Sequence, residues 1–197
     1  KLNMDDLIYP TVKVDTKDGA KMLSGQLAKH ITVKAGSGSA KPFYEVSPLS
    51  TVITESLGSD NNKARLAIIG IKERMKIRIL KNLPHMEYIV MVNHKNRVRI
   101  SEGVASMIVG NTPAREDFQF AFSQKSAEFL VSNIAAGQDV TDFLSSVDIK
   151  IGTVISMEGI ESGKRVDLDY EQDIVLYTHE GLIITLSEKT AEKIEVE

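Results

Sequence analysis

Two stretches of this chain alternate charged and apolar residues with a period of two, and they carry opposite signs. In Ile71-Lys72-Glu73-Arg74-Met75-Lys76-Ile77-Arg78-Ile79, the cations Lys72, Arg74, Lys76 and Arg78 share one parity. Ile71, Met75, Ile77 and Ile79 share the other, with Glu73 the exception. Successive side chains of a strand point to opposite faces, so an extended backbone here would line one side with cations about 6.6–6.8 Å apart. Arg97 and Arg99 repeat the pattern, alternating with Val98 and Ile100, and would extend it to a basic face of six. In Val166-Asp167-Leu168-Asp169-Tyr170-Glu171-Gln172-Asp173, the carboxylates of Asp167, Asp169, Glu171 and Asp173 share a parity. A helix would scatter either row around its circumference, so both point to a chain dominated by strands.

The charge of the whole chain is polarised in the same sense. Residues 1–60 balance seven Lys against seven acidic groups, residues 61–100 carry ten Lys/Arg against two Glu, and residues 101–197 carry seven against eighteen Asp/Glu. The net charge of −3 conceals this. Such asymmetry bears on partners and association, not on fold.

Around the two rows the sequence reads as an α+β chain: mainly antiparallel sheet with two or three short helices inserted between strands. Expected strands cover Leu7–Val14 (an edge, because of Pro10), Val46–Leu57, Lys63–Ile71, Glu73–Leu80, Glu87–Val92 and Arg97–Ile100. Phe118, Phe120 and Phe122 would share one face of a further strand. From Ile149 onward strands return at Ile149–Met157, Val166–Tyr170, Asp173–Thr178 and Leu182–Leu186. Helical spacing suggests helices over Asp18–His30, over Ser123–Gly137 with Ala127, Leu130, Val131 and Ile134 inward, and from Asp139 to Val147. Ser187 would cap a last turn or two. Pro113 marks a joint between an N-terminal β-rich part with basic strands, 1–112, and a C-terminal α+β part with acidic strands, 113–197, unless one domain holds both.

Catalytic signatures are sparse. The absence of cysteine removes disulfides and thiolate chemistry. His30, His85, His94 and His179 lack metal-ligand spacing, and the acidic row has no glycine turn to converge on one ion. Gly36-Ser37-Gly38-Ser39-Ala40-Lys41 lacks the GK[ST] ending of a phosphate-binding loop. No metal and no cofactor is expected, and the sequence leans away from an enzyme, although a site of dispersed acidic and basic residues would leave no local spacing. The longest apolar runs, such as Leu66–Ile71 and Tyr88–Val92, fall far short of the roughly 18 residues of a membrane span. With no secretory signal visible either, the expected setting is cytoplasmic or an intracellular particle, without a membrane partner. Met4 is preceded by Lys1-Leu2-Asn3, which suits either an appended tripeptide or a trimmed precursor.

Three functional readings follow. The first is a structural, non-enzymatic protein that assembles with copies of itself or with neighbouring proteins through complementary charged β faces, for example in a viral particle. Its basic face would be Lys72, Arg74, Lys76, Arg78, Arg97 and Arg99; its acidic face would be Asp167, Asp169, Glu171 and Asp173. A head-to-tail contact of this kind builds rings or open polymers. The second is a nucleic-acid-binding protein whose basic face follows phosphates, though only Tyr88 among residues 61–100 offers a ring for stacking. The third is an enzyme. Against all three stands the plain alternative that both rows are solvated outer faces, with charge discouraging edge-to-edge aggregation.

Overall fold

The computed structural model describes residues 9–162 and the strands at 174–177 and 183–186. The chain forms two compact units, residues 1–163 and 164–197.

The first unit contains two six-stranded sheets whose strands are antiparallel throughout. The first sheet is built from β1 (Val12–Thr16), β2 (Gly19–Leu23), β3 (Thr32–Lys34), β4 (Ala40–Pro42), β5 (Thr51–Ser56) and β6 (Lys76–Asn82), in the order β2-β1-β6-β5-β3-β4. The second is built from β7 (Met86–Val92), β8 (Asn96–Ser101), β9 (Ile108–Thr112), β10 (Arg115–Gln119), β11 (Glu128–Ile134) and β12 (Val154–Ser162), in the order β10-β9-β11-β12-β7-β8. Leu83-Pro84-His85 carries the chain from one sheet to the other. Among the described residues four short α-helices fill the connections: α1 (Gly25–Ala28), α2 (Asp60–Ile68), α3 (Glu102–Met107) and α4 (Gln138–Ser146). In the second unit β13 (Ile174–Tyr177) and β14 (Ile183–Leu186) pair antiparallel. The architecture is the mainly antiparallel α+β arrangement that the sequence implies.

Each sheet has its own core. Val12, Val14, Val52, Ile77 and Ile79 point inward from the first sheet onto Leu27 and Ile31 near α1 and Leu66 and Ile69 at α2. Met107, Val109 and Ala135 of the second half complete that cluster. In the second core Phe129 stands edge-on to Phe118 and Phe120, with ring centroids 5.2 and 5.1 Å apart. Full burial of a side chain such as Ile77 contributes about 1.5–3 kcal/mol.

Several local expectations change. The segment 63–71 is not a strand but belongs largely to α2, whose N-cap Ser59 accepts a hydrogen bond from the Asn62 N–H. The segment 18–30 is not one helix: it splits into β2 and the single turn α1. The segment 123–137 forms β11, with Phe129 and Val131 buried and Leu130 turned out. Gly137 therefore caps the start of α4, not the end of a preceding helix. β1 lies between β2 and β6, so it is interior, and Pro10 precedes it. Phe120–Phe122 form a 3-10 turn after β10, so the three phenylalanines do not share a strand face. Pro113 lies in the turn between the paired strands β9 and β10. The acidic row at 167–173 and the cap at Ser187 lie outside the described residues.

Candidate functional site

β6 begins at Lys76, so only half of the central basic row is a strand. Thr54 explains why. Its hydroxyl, fully buried beneath the first sheet, donates to the Lys72 carbonyl at 2.6 Å and accepts from the Met75 N–H at 2.9 Å. Its carbonyl accepts from the Arg74 N–H at 2.7 Å. These bonds fold 72–75 into a turn in which Arg74 takes φ of 58°, in the left-handed region. Lys72 and Arg74 are exposed there, but they are not rungs of a ladder. Glu73, which broke the sequence pattern, reaches Lys63 of α2 at 3.2 Å.

From Lys76 onward the alternation holds. Ile77 and Ile79 enter the core, and Lys76 and Arg78 stand on the outward face. The register places them in cross-strand rows. Lys34 of β3 faces Ile53 of β5, and Ile53 faces Lys76 of β6. Arg78 lies between Thr51 of β5 and Asp15 of β1. Directly opposed residues have Cβ atoms about 5 Å apart, so two lysines flank one isoleucine across three strands. Ile53 is 43% exposed. Among the described residues Lys34, Lys76 and Arg78 form no ion pair.

Arg97 and Arg99 belong to β8 of the second sheet, and both are matched there by carboxylates. Arg97 pairs with Glu158 of β12; Arg99 pairs with Glu87 of β7 at 3.0 Å and with Glu161 of β12 at 2.9 Å. The hydrogen bond that Arg99 donates to Glu87, and then the charge of Glu161, hold the Arg99 guanidinium still more firmly in its charged form. The six cations therefore occupy three settings: a turn, one sheet's outer face, and a neutralised network on another sheet.

Other polar groups are structural in their placement. The buried carboxylate of Glu102 accepts from the Met86 N–H at 3.0 Å and from the Thr11 hydroxyl at 3.5 Å, and His85 Nδ1 lies 3.4 Å away. It thus ties the crossing between the sheets to the start of β1. Tyr88 nearby is pushed above its usual pKa of 10.0, by burial first and by the Glu102 charge second. Exposed His94 meets Glu128 at 3.2 Å. Among the described residues, a cavity of about 190 Å³ beside Phe43, Tyr44 and Ile79 is lined by one carboxylate, that of Glu45. The glycine-serine stretch after Ala35 closes the β3–β4 hairpin. Among the described residues no three His, Asp or Glu side chains are grouped to hold a metal ion, and no helix is long and apolar enough to cross a membrane.

The residues that sequence reasoning missed are Lys34 and Ile53, which join Lys76 only through the β3-β5-β6 pairing. Thr51-Val52-Ile53-Thr54 did signal a strand, but its neighbours are set by register over long sequence separations. No family model, no curated protein and no solved structure matches the chain.

Proposed function

We propose that this chain is a non-enzymatic assembly protein whose first sheet docks, through its outward face, onto a carboxylate-bearing protein surface. The observation that carries this reading is the row Lys34–Ile53–Lys76 with Arg78 beside it. An apolar side chain held between cations gives a partner both a desolvated contact and an electrostatic register. The paired guanidinium groups of Arg97 and Arg99 supply the contrast: both are matched to carboxylates on the second sheet, whereas Lys34, Lys76 and Arg78 of the first form no ion pair among the described residues.

Since the chain is itself rich in acidic groups after residue 100, a second copy is the simplest partner. Sedimentation velocity tests this. Association should be visible in dilute salt, where the Debye length is about 10 Å or more, and should weaken towards 1 M, where it is about 3 Å. A monomer at every salt and protein concentration would overturn self-assembly.

Phosphate tracking draws less support. It would favour a continuous run of free cations, whereas Arg97 and Arg99 are engaged with Glu158, Glu87 and Glu161.

A further inference from the structure

The proposed assembly needs an acidic counterpart to the first sheet's cationic face, and the described residues contain one candidate of matching form. Helix α4 turns Val140 and Leu144 towards the protein interior, with Val147 just beyond its end. Its outward residues are Asp139, Asp142, Phe143 and Ser146, at the i, i+3, i+4 and i+7 positions that share a helix face. Phe143 is 41% exposed. Asp142 is held in place by the Gln138 amide, which donates to its Oδ1 at 2.7 Å. The face therefore presents one apolar ring with two carboxylates beside it. The first sheet presents the complement: Ile53 with Lys34 and Lys76 to either side and Arg78 one row along, bordered on the same face by Glu55 of β5 and by Asp15 opposite Arg78.

These two faces do not meet within one copy. At the start of α4, Gly137 packs against the Arg65 guanidinium of α2, where an added Cβ would lie 3.3 Å from Nη1. Ala135, Ala136 and Val140 around it pack into the first core, the cluster that also holds Leu66, Val52 and Ile77. The beginning of α4 thus lies on the core side of the first sheet, while Lys76 and Arg78 stand on the other side.

Resting on the assembly reading above, we infer that the occupant of the cationic face is α4 of a second copy, with Phe143 seated against Ile53 and Asp139 and Asp142 among Lys34, Lys76 and Arg78. The contact is heterologous, because it joins unlike faces of the two copies, and it propagates head to tail. Its small size gives a reversible association, not an obligate complex.

Two neutralising variants test it. One removes the sheet face (Lys34→Gln, Lys76→Gln, Arg78→Gln); the other removes the helix face (Asp139→Asn, Asp142→Asn, Phe143→Ser). Circular dichroism and thermal melting establish that each is folded; should the triple helix variant fail to fold, Phe143→Ser alone takes its place. Masses are then read by light scattering on a sizing column at the lowest salt in which wild type associates. Each variant alone should be monomeric, or at least tenfold weaker in association than wild type. Mixed in equal amounts, they should form a 1:1 dimer and nothing larger, because only one pair of intact faces remains. A helix variant that polymerises like wild type, while the sheet variant does not, would overturn α4 as the counterpart and leave the cationic docking face standing. A mixture that stays monomeric would also overturn it. Wild type that never associates would remove both proposals.

Discussion

The side-chain amide of Gln119 pairs with the backbone of Met22 as another strand would. Its Oε1 accepts from the Met22 N–H at 2.9 Å, and its Nε2 donates to the Met22 carbonyl at 2.7 Å and to the Ser106 carbonyl at 2.6 Å. Met22 lies on β2, an edge of the first sheet, and Gln119 ends β10, an edge of the second. One buried amide therefore closes an open edge and fixes the two sheets to each other. Replacing it by alanine leaves three backbone groups unmatched in the interior. With each unsatisfied group costing about 1–3 kcal/mol, Gln119→Ala should lower unfolding free energy by about 3 kcal/mol or more in urea titrations, with loss of cooperativity between the sheets.

Gly110 lies on β9 of the second sheet, between Phe118 of the edge strand β10 and Val131 of β11. A Cβ there would collide with the Leu130 carbonyl and the Phe129 ring. The carbonyl is fixed by the sheet, so the clash is not relieved by rotating a side chain. Gly110→Ala is expected to destabilise by several kcal/mol, at or beyond the usual range for overpacking of about 1–3 kcal/mol. A melting temperature within a degree or two of wild type would refute this.

Tyr88 is a proton-linked contributor to stability. Its folded-state pKa is raised above 10.0, first by burial and then by Glu102, so the native state holds the phenolic proton more tightly than the unfolded chain does. The stabilisation is fully present below pH 10 and is lost as pH rises through 10 towards the folded-state value. Tyr88→Phe should leave neutral-pH stability nearly unchanged, since the hydroxyl's bond to the Ala121 carbonyl is long at 3.4 Å. It should flatten the alkaline part of the stability curve. Chemical denaturation at pH 8, 10 and 11 would show the difference.

Arg97 and Arg99 separate the two sheets' cations experimentally. Both are exposed and already engaged by carboxylates, and exposed pairs of this kind add little to stability. Arg97→Gln with Arg99→Gln should leave the salt dependence of association as it is in wild type, whereas Lys76→Gln with Arg78→Gln should reduce its slope. Equal effects from the two pairs would mean that the second sheet also docks.

Much of this architecture can be read from local pattern. β5 follows from its β-branched run, and the β7–β8 hairpin follows from Asn93 and His94, whose φ angles of 48° and 58° suit a tight reversal. The 3.6-residue spacing places Val140 and Leu144 of α4, and Val147 just beyond it, inward, but it groups Phe143 with them, and Phe143 is 41% exposed. The segment 123–137 misleads because Leu130, Val131 and Ile134 fit a helical stripe equally well. What decides for a strand is pairing of β11 with β9 and β12, which buries Phe129 and Val131 together and leaves Leu130 46% exposed. The basic row was legible only from Lys76 onward, because the turn before it is made by a residue eighteen positions upstream of Lys72: Thr54. The Lys34–Ile53–Lys76 row leaves no local trace, since its members meet through strand order alone.

Lysine footprinting locates the docking face most directly. Acylation rates of individual lysines are compared in dilute protein and in concentrated protein at low salt, with exposed Lys95 of the β7–β8 turn as the reference. The account predicts that Lys34 and Lys76 become protected on concentration, that Lys95 does not, and that the protection disappears in high salt. Rates at Lys34 and Lys76 that stay unchanged while the protein demonstrably associates would contradict it.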